Sequence, residues 1–268
     1  MNDCGVLFDV TKCVGCGSCT VACKMWNNLS YEKGNAHGYD AGLDGDTWTA
    51  VSYHDTVDHR GESVLRFLKR QCMHCLKPSC VSVCFAKAIK VTETGAVVYD
   101  AKKCVGCRYC MIGCPYDVPK YEWDKVFPSV MKCQLCAGKL EKNESPSCVS
   151  VCPTGALTFG KRDELLMKAK AAIAADSRYI GHVYGENEGG GTRWLYISDV
   201  PFEDLGLPVN IPEADIPSIV HKYSRWKPGI FAGAAAVFGA LGFYTHRRLK
   251  VEESQKAKEE EKGEESDV

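Results

Sequence analysis

The sequence holds 268 residues, enough for one or two domains with a real core. Its 34 acidic and 33 basic side chains nearly cancel, so bulk charge gives no argument for nucleic acid or an acidic substrate as a partner. Seventeen cysteines are the outlier: an odd count without a secretory signal speaks against a disulfide scaffold, and structural zinc would need thiolates in separated pairs, about four to a metal.

Spacing decides what the cysteines are for. The first run is Cys13, Cys16, Cys19, Cys23, a C-x2-C-x2-C-x3-C pattern. Three closely spaced thiolates of such a run hold three irons of one cluster, and the fourth reaches a neighbouring cluster. Residues 24–71 form a long insert with Gly34, Gly38, Gly42, Gly45 and two tryptophans, Trp26 and Trp48; it reads as mostly loop, ending in a strand around Val64 to Leu68. A loop of that length is functional, partner-binding or a packed cover. The second run, Cys72, Cys75, Cys80, Cys84, carries two extra residues before its third cysteine. His74 lies inside it and reads as a supporting or exposed residue rather than a ligand.

Ala88 to Val91 and Ala96 to Tyr99 flank Thr92-Glu93-Thr94-Gly95, the pattern of a β-hairpin with glycine in its turn. The third run, Cys104, Cys107, Cys110, Cys114, repeats the first and is followed by Pro115; the fourth, Cys133, Cys136, Cys148, Cys152, has a longer insertion and Pro153 after it. Lys-Cys-Val-Gly-Cys occurs at 12–16 and 103–107, and Pro-Ser-Cys-Val-Ser-Val-Cys at 78–84 and 146–152, so a two-cluster unit is duplicated, with halves at about 1–99 and 100–160. Sixteen cysteines thus form four runs, the ligand count of four 4Fe–4S clusters, and Cys4 is left without a ligand role. No C-x-x-C pair precedes a histidine, so c-type haem is excluded. Lys12, Lys24, Lys69, Arg70, Lys102, Lys103 and Arg108 lie near the runs and are candidates to offset anionic clusters. No catalytic constellation stands out.

Beyond the last run, Ala156 to Phe159 reads as a strand and Arg162 to Ala175 as a helix, with Asp163 and Glu164 where the helix dipole favours acids. Glu188-Gly189-Gly190-Gly191-Thr192 lacks the Gly-Lys-Ser/Thr ending of a phosphate loop and reads as a flexible turn. Pro201, Pro208, Pro212 and Pro217 mark an extended linker. Pro228 to Thr245 is an 18-residue stretch without a charge, roughly 27 Å long as a helix and just enough for a bilayer core. Gly229 and Gly233 make a small-residue pair on it. Three basic residues before it and six after it place the tail in the cytoplasm and the cluster domain outside. The Glu-, Lys- and Ser-rich tail from Val251 to Val268 reads as disordered.

The fold class expected is α+β: duplicated bacterial-ferredoxin-like domains with long loop inserts and one C-terminal transmembrane helix. The boundaries expected are 1–160 for the four-cluster domain, 161–226 for a helix, covering segment and linker, 227–248 for the membrane helix and 249–268 for the tail.

Over about residues 5–248 the chain resembles the four-cluster electron-transfer subunits of membrane-bound respiratory oxidoreductases. Two branches compete. Gln71-Cys72-Met73-His74-Cys75, Gly106-Cys107-Arg108-Tyr109-Cys110-Met111 and the Tyr184 to Thr192 stretch look like the ferredoxin-like subunit of uptake nickel–iron hydrogenases. Such subunits usually carry a twin-arginine signal, whereas here Met1 leads within a few residues into the first run. That favours the beta subunit of respiratory formate dehydrogenase, which sits between a molybdenum or tungsten catalytic subunit and a membrane cytochrome b or quinone-reducing subunit. A free membrane-anchored ferredoxin or redox sensor is the alternative of another class; the long inserts and the small-faced helix argue against it.

The resemblance also implies how ligands are shared. Carried over, one cluster takes Cys13, Cys16, Cys19 and Cys152, and its partner Cys133, Cys136, Cys148 and Cys23. The second pair takes Cys72, Cys75, Cys80 with Cys114, and Cys104, Cys107, Cys110 with Cys84. Phe85 stands after Cys84 where proline is usual in the family.

Overall fold

The computed structural model describes residues 3–123, 125–126 and 128–266. In chain order its elements are β1 (Cys4–Asp9), α1 (Ser18–Asn27), β2 (His37–Gly38), β3 (Ala50–Val57), β4 (Ser63–Arg70), α2 (Ser79–Ser82), β5 (Ile89–Val91), β6 (Val97–Tyr99) and α3 (Tyr109–Ile112). There follow β7 (Lys120–Tyr121), β8 (Val130–Met131), α4 (Ala137–Leu140), α5 (Ser147–Ser150), β9 (Leu157–Lys161), α6 (Arg162–Ala175), β10 (Trp194–Ile197), α7 (Ile216–Ser224) and α8 (Lys227–Ser266). Residues 1–218 form one unit and 219–268 a second.

β1 is buried along its whole length because it is the middle strand of a sheet ordered β10-β1-β9. It runs parallel to β10, with Val6 opposite Trp194, and antiparallel to β9, with Val6 opposite Phe159. Phe8 meets Tyr196 edge-on at 5.5 Å between ring centroids. Each such buried aromatic contributes about 1.5–3 kcal/mol relative to exposure. α6 covers the same sheet through Leu165 and Ala169, packed with Leu7, Leu195 and Ile197.

The insert between the first two runs is more regular than a loop. β3 and β4 pair antiparallel from Ala50 opposite Arg70 to Val57 opposite Ser63, with β2 beside β3. The polar centre of β3, Ser52-Tyr53-His54-Asp55-Thr56, hides it from a hydrophobicity reading. Lys24 is buried and ties the insert down, donating to the carbonyls of Ser30 (2.7 Å) and Lys33 (2.9 Å). The hairpin expected between the second and third runs forms as β5 and β6.

Two expectations for the region after Ala175 are corrected. The glycine-rich turn is packed rather than flexible: Glu188 and Gly189 are buried, and Leu76 N–H donates to Gly191 O at 3.0 Å. The stretch read as an extended linker supplies core residues, with Val200, Phe202, Leu205 and Leu207 buried. Prolines there bend a packed segment instead of marking a spacer.

In the second unit, a helix long and apolar enough to cross a membrane contains the uncharged stretch. α8 does not stop at the charged tail but continues to Ser266. Ala, Glu and Lys are strong helix formers, and Arg248 pairs with Glu252 one turn on (2.9 Å), so the composition read as disordered also suits a helix.

Candidate cluster sites

Each cysteine run is wound by left-handed residues that turn the backbone around its sulfurs. Gly15 and Gly17 have φ of 64° and 71°; their repeat partners Gly106 and Arg108 have 71° and 61°. His74, Leu135 and Cys136 do the same in the second and fourth runs. Such turns aim backbone N–H groups inward: Gly106 N donates to Cys104 Sγ and Leu135 N to Cys133 Sγ, each at 3.4 Å, and Ala88 N to Cys84 Sγ at 3.2 Å. Donors of this kind favour a thiolate over a thiol.

The turns are entered through a repeated cap that the sequence reading missed. Asp9 accepts from Thr11 N (3.1 Å), and Asp100 from Lys102 N (3.0 Å), each closing a short 3-10 turn directly before the first cysteine. The signal was present as Asp9-Val10-Thr11-Lys12-Cys13 and Asp100-Ala101-Lys102-Lys103-Cys104, a repeat three residues longer than the one noticed.

Cys13, Cys16, Cys19 and Cys152 line one cavity, with Phe8, Val51 and Leu157 as apolar walls. Cys104, Cys107, Cys110 and Cys84 line another, walled by Ala88, Ile89 and Val130. The other eight thiols group by mutual repulsion as thiolates. Cys75 feels Cys72, Cys114 and Cys80; Cys133 feels Cys23, then Cys72 of the neighbouring group, then Cys136, and Cys148 feels Cys136 and Cys23. Helix packing follows the same division: α1 lies on α5, and α2 on α3.

Burial, with this repulsion added, pushes the Cys19 and Cys80 thiols up to about 12 and Cys110, Cys114 and Cys148 up to about 11. Cys16 moves the other way, because Ser18 Oγ lies 3.4 Å from its sulfur. Sets of buried sulfurs held this close need a positive core to become thiolates. Among the described residues no three His, Cys, Asp or Glu groups converge tightly enough for a single metal ion. Thiols ringed around a cavity fit a multi-iron core.

His74 is fully buried, which answers the choice between a supporting and an exposed residue. Its Nδ1 accepts from Val97 N–H at 2.9 Å, tying β6 to the second run, and burial keeps the ring neutral by lowering its pKa well below the ordinary histidine value. Of the basic residues near the runs, Lys69 is buried against the thiols while Lys12 pairs with Asp9 at 3.0 Å. Lys132, which no pattern in the sequence marks, is buried too, with Nζ 3.9 Å from Cys72 Sγ. Cys4 is buried in β1.

Cavities ringed by cysteine sulfurs, in a fold that repeats its cysteine turns, define a ferredoxin-like protein with paired clusters. Two 4Fe-4S dicluster domain families match the chain, over residues 12–88 and 63–162. A protein of Nitratidesulfovibrio vulgaris strain Hildenborough is 42% identical over 76% of this chain, which spans 56% of that protein's length. The hydrogenase-2 operon protein HybA of Escherichia coli O157:H7 is 37% identical, covering 76% of this chain and 72% of HybA. The nitrate-inducible formate dehydrogenase iron-sulfur subunit of Escherichia coli K12 is 36% identical, covering 89% of this chain and 83% of that subunit. The chain belongs to this family of 4Fe–4S iron–sulfur subunits, and its two dicluster domains carry four 4Fe–4S clusters.

Proposed function

We propose that sixteen cysteines hold the clusters in four crossed sets and that the chain is the electron-relay subunit of a membrane-bound oxidoreductase. The sets are Cys13, Cys16, Cys19 with Cys152; Cys133, Cys136, Cys148 with Cys23; Cys72, Cys75, Cys80 with Cys114; and Cys104, Cys107, Cys110 with Cys84. A bound 4Fe–4S cluster supplies one-electron storage at a potential governed by its thiolates, their hydrogen bonds and burial.

One observation supports the reading: thiols assigned to successive sets lie close enough to influence one another, in the order of a single file. Cys19 of the first set feels Cys148 of the next, Cys133 feels Cys72 of the third, and Cys80 feels Cys110 of the last. The two exposed ligands, Cys16 and Cys107, belong to the terminal sets. Such a file has two ends near the surface and a buried middle, the arrangement a relay between two partners needs. The chain itself supplies no acid–base or nucleophilic machinery in this reading; its residues hold, space and shield.

The partners that suit the reading are a molybdenum or tungsten catalytic subunit of the formate dehydrogenase kind and a membrane cytochrome b or other quinone-reducing subunit. HybA's comparable identity favours a second reading, with a nickel–iron hydrogenase as the catalytic partner. α8 anchors the chain as a single pass, with the cluster domain on the periplasmic side and the tail in the cytoplasm. The test is elemental analysis of the complex purified in mild detergent through a tag on this chain. Molybdenum or tungsten supports the first reading and nickel the second. Iron alone, with the chain monomeric, overturns the relay-subunit proposal in favour of a free carrier.

A further inference from the structure

Two lysines are buried among the sulfurs with no conventional counter-ion. Lys69 is 1% exposed at the end of β4, and Lys132 is 3% exposed just after β8. Among the described residues no aspartate or glutamate pairs with either; their ion-pair partners are absent where other lysines have theirs at 2.6–3.9 Å. An isolated buried ammonium costs several kcal/mol unless an anion answers it.

The fold fixes both ammoniums in place. Lys69 Nζ donates to Gln71 Oε1 (2.8 Å), Gln71 Nε2 donates to Tyr196 Oη (2.6 Å), and Tyr196 Oη donates back to Lys69 O (3.1 Å). The ammonium also sits 4.4 Å from the Trp194 ring centroid. Every member of this clamp is neutral, so it positions the charge without cancelling it. Lys132 Nζ donates to the carbonyls of Val97 and Cys133, the latter at 2.9 Å, and reaches Cys72 Sγ at 3.9 Å.

Their positions are not random with respect to the four sets. Lys69 lines the cavity of Cys13, Cys16, Cys19 and Cys152 and also acts on Cys23, Cys133 and Cys148. It therefore stands at the junction of the first two sets. Lys132 Nζ lies 3.9 Å from the sulfur of Cys72, acts on Cys80 and is held by the backbone carbonyl of Cys133; Cys133 in turn feels Cys72, so the ammonium stands beside the third set where it meets the second. The cavity of Cys104, Cys107, Cys110 and Cys84 has neither lysine in its wall.

We infer that Lys69 and Lys132 are potential-setting residues, each raising the reduction potentials of the two clusters it stands between. The inference rests on the crossed ligand sets proposed above. Reduction adds one electron and no compensating proton to a set that is already anionic. A fixed ammonium nearby stabilises the reduced form more than the oxidised one. Removing it makes the cluster harder to reduce.

The test is a mediator titration followed by low-temperature paramagnetic resonance on the full-length chain in mild detergent, with iron and sulfide measured on the same samples. Lys69→Met and Lys132→Met keep an unbranched side chain one atom shorter and remove its charge. At a fixed potential each variant is expected to lower the reduced-to-oxidised ratio of two clusters by at least about tenfold, a 59 mV downward shift for one electron. The pattern is the signature. One midpoint moves in both variants, one moves in neither, and the other two move in one variant each. Lys69→Arg and Lys132→Arg restore the wild-type values. Four unchanged midpoints in fully loaded methionine variants would overturn the inference, as would a uniform shift of all four. If the methionine variants lose iron, Lys69→Gln and Lys132→Gln decide: midpoints lowered in the same pattern uphold the inference, and unchanged midpoints overturn it. Wild-type chain with iron far below four clusters would instead defeat the ligand reading itself.

Discussion

Gly15 and Gly106 hold the same place in repeated turns, yet alanine is expected to cost very different amounts at the two. Both have positive φ, 64° and 71°, and lose about 1–2 kcal/mol when a Cβ is forced into the left-handed region. The surroundings then separate them. A Cβ on Gly15 would lie 2.4 Å from the Phe67 ring, which is itself held edge-on against Tyr53 at 4.9 Å between centroids. A Cβ on Gly106 would meet the Tyr121 hydroxyl at 2.9 Å, a single atom at the tip of a side chain, with the ring carbon behind it 4.0 Å away, rather than the edge of a ring. Overpacking a fixed neighbour costs a further 1–3 kcal/mol or so. Gly15→Ala should therefore destabilise by about 2–5 kcal/mol and Gly106→Ala by about 1–2 kcal/mol. Anaerobic denaturant unfolding, followed by visible cluster absorbance and far-ultraviolet circular dichroism, measures both. Equal losses, or a larger one for Gly106→Ala, would refute the argument that the β3–β4 insert braces the first run.

Arg66 forks onto Asp199, with Nε at 2.9 and 3.1 Å from the two carboxylate oxygens and Asp199 itself buried. Because the arginine is partly exposed, Arg66→Met should cost about 2–3 kcal/mol in denaturant unfolding, below the range for a fully buried pair. Asp215 is held down at about 2 by hydrogen bonds from Ser218 and Lys77. A depressed carboxylate contributes stability that is present above its unfolded value and lost as pH falls through the folded one. The difference in unfolding midpoint between wild type and Asp215→Asn should thus be constant from pH 7 to about 5 and vanish toward pH 2. Truncation after Trp226 removes α8 and should move the chain from the membrane pellet to the supernatant on ultracentrifugation, with its cluster absorbance intact; a truncated chain that still pellets contradicts the anchor.

The cysteine runs were legible because covalent spacing alone confines where their sulfurs can go. α6 and the β5–β6 hairpin were legible because each is a local pattern, and α6 runs over the residues read from sequence. β3 was not, since its alternation is broken by Tyr53-His54-Asp55 and its stability comes from pairing with β4. The packed stretch from Val200 to Leu207 was missed for a similar reason. Its prolines and glycine are turn signals in isolation, and only the tertiary partners show that Phe202 and Leu205 are core. Lys69 and Lys132 look like any surface lysine in the sequence. What distinguishes them is that strands fold back over them, which no one-dimensional pattern records.

The crossed ligand sets are tested most directly by iron counting on one variant, Cys13→Ser, Cys16→Ser, Cys19→Ser and Cys152→Ser combined. If these four share a cluster, the variant loses that one alone and retains about twelve irons per chain, in three clusters of four. The remaining three midpoints survive in the potentiometric titration. If each run instead holds its own cluster, the same four changes damage two sites, iron falls to about eight per chain, and two midpoints disappear.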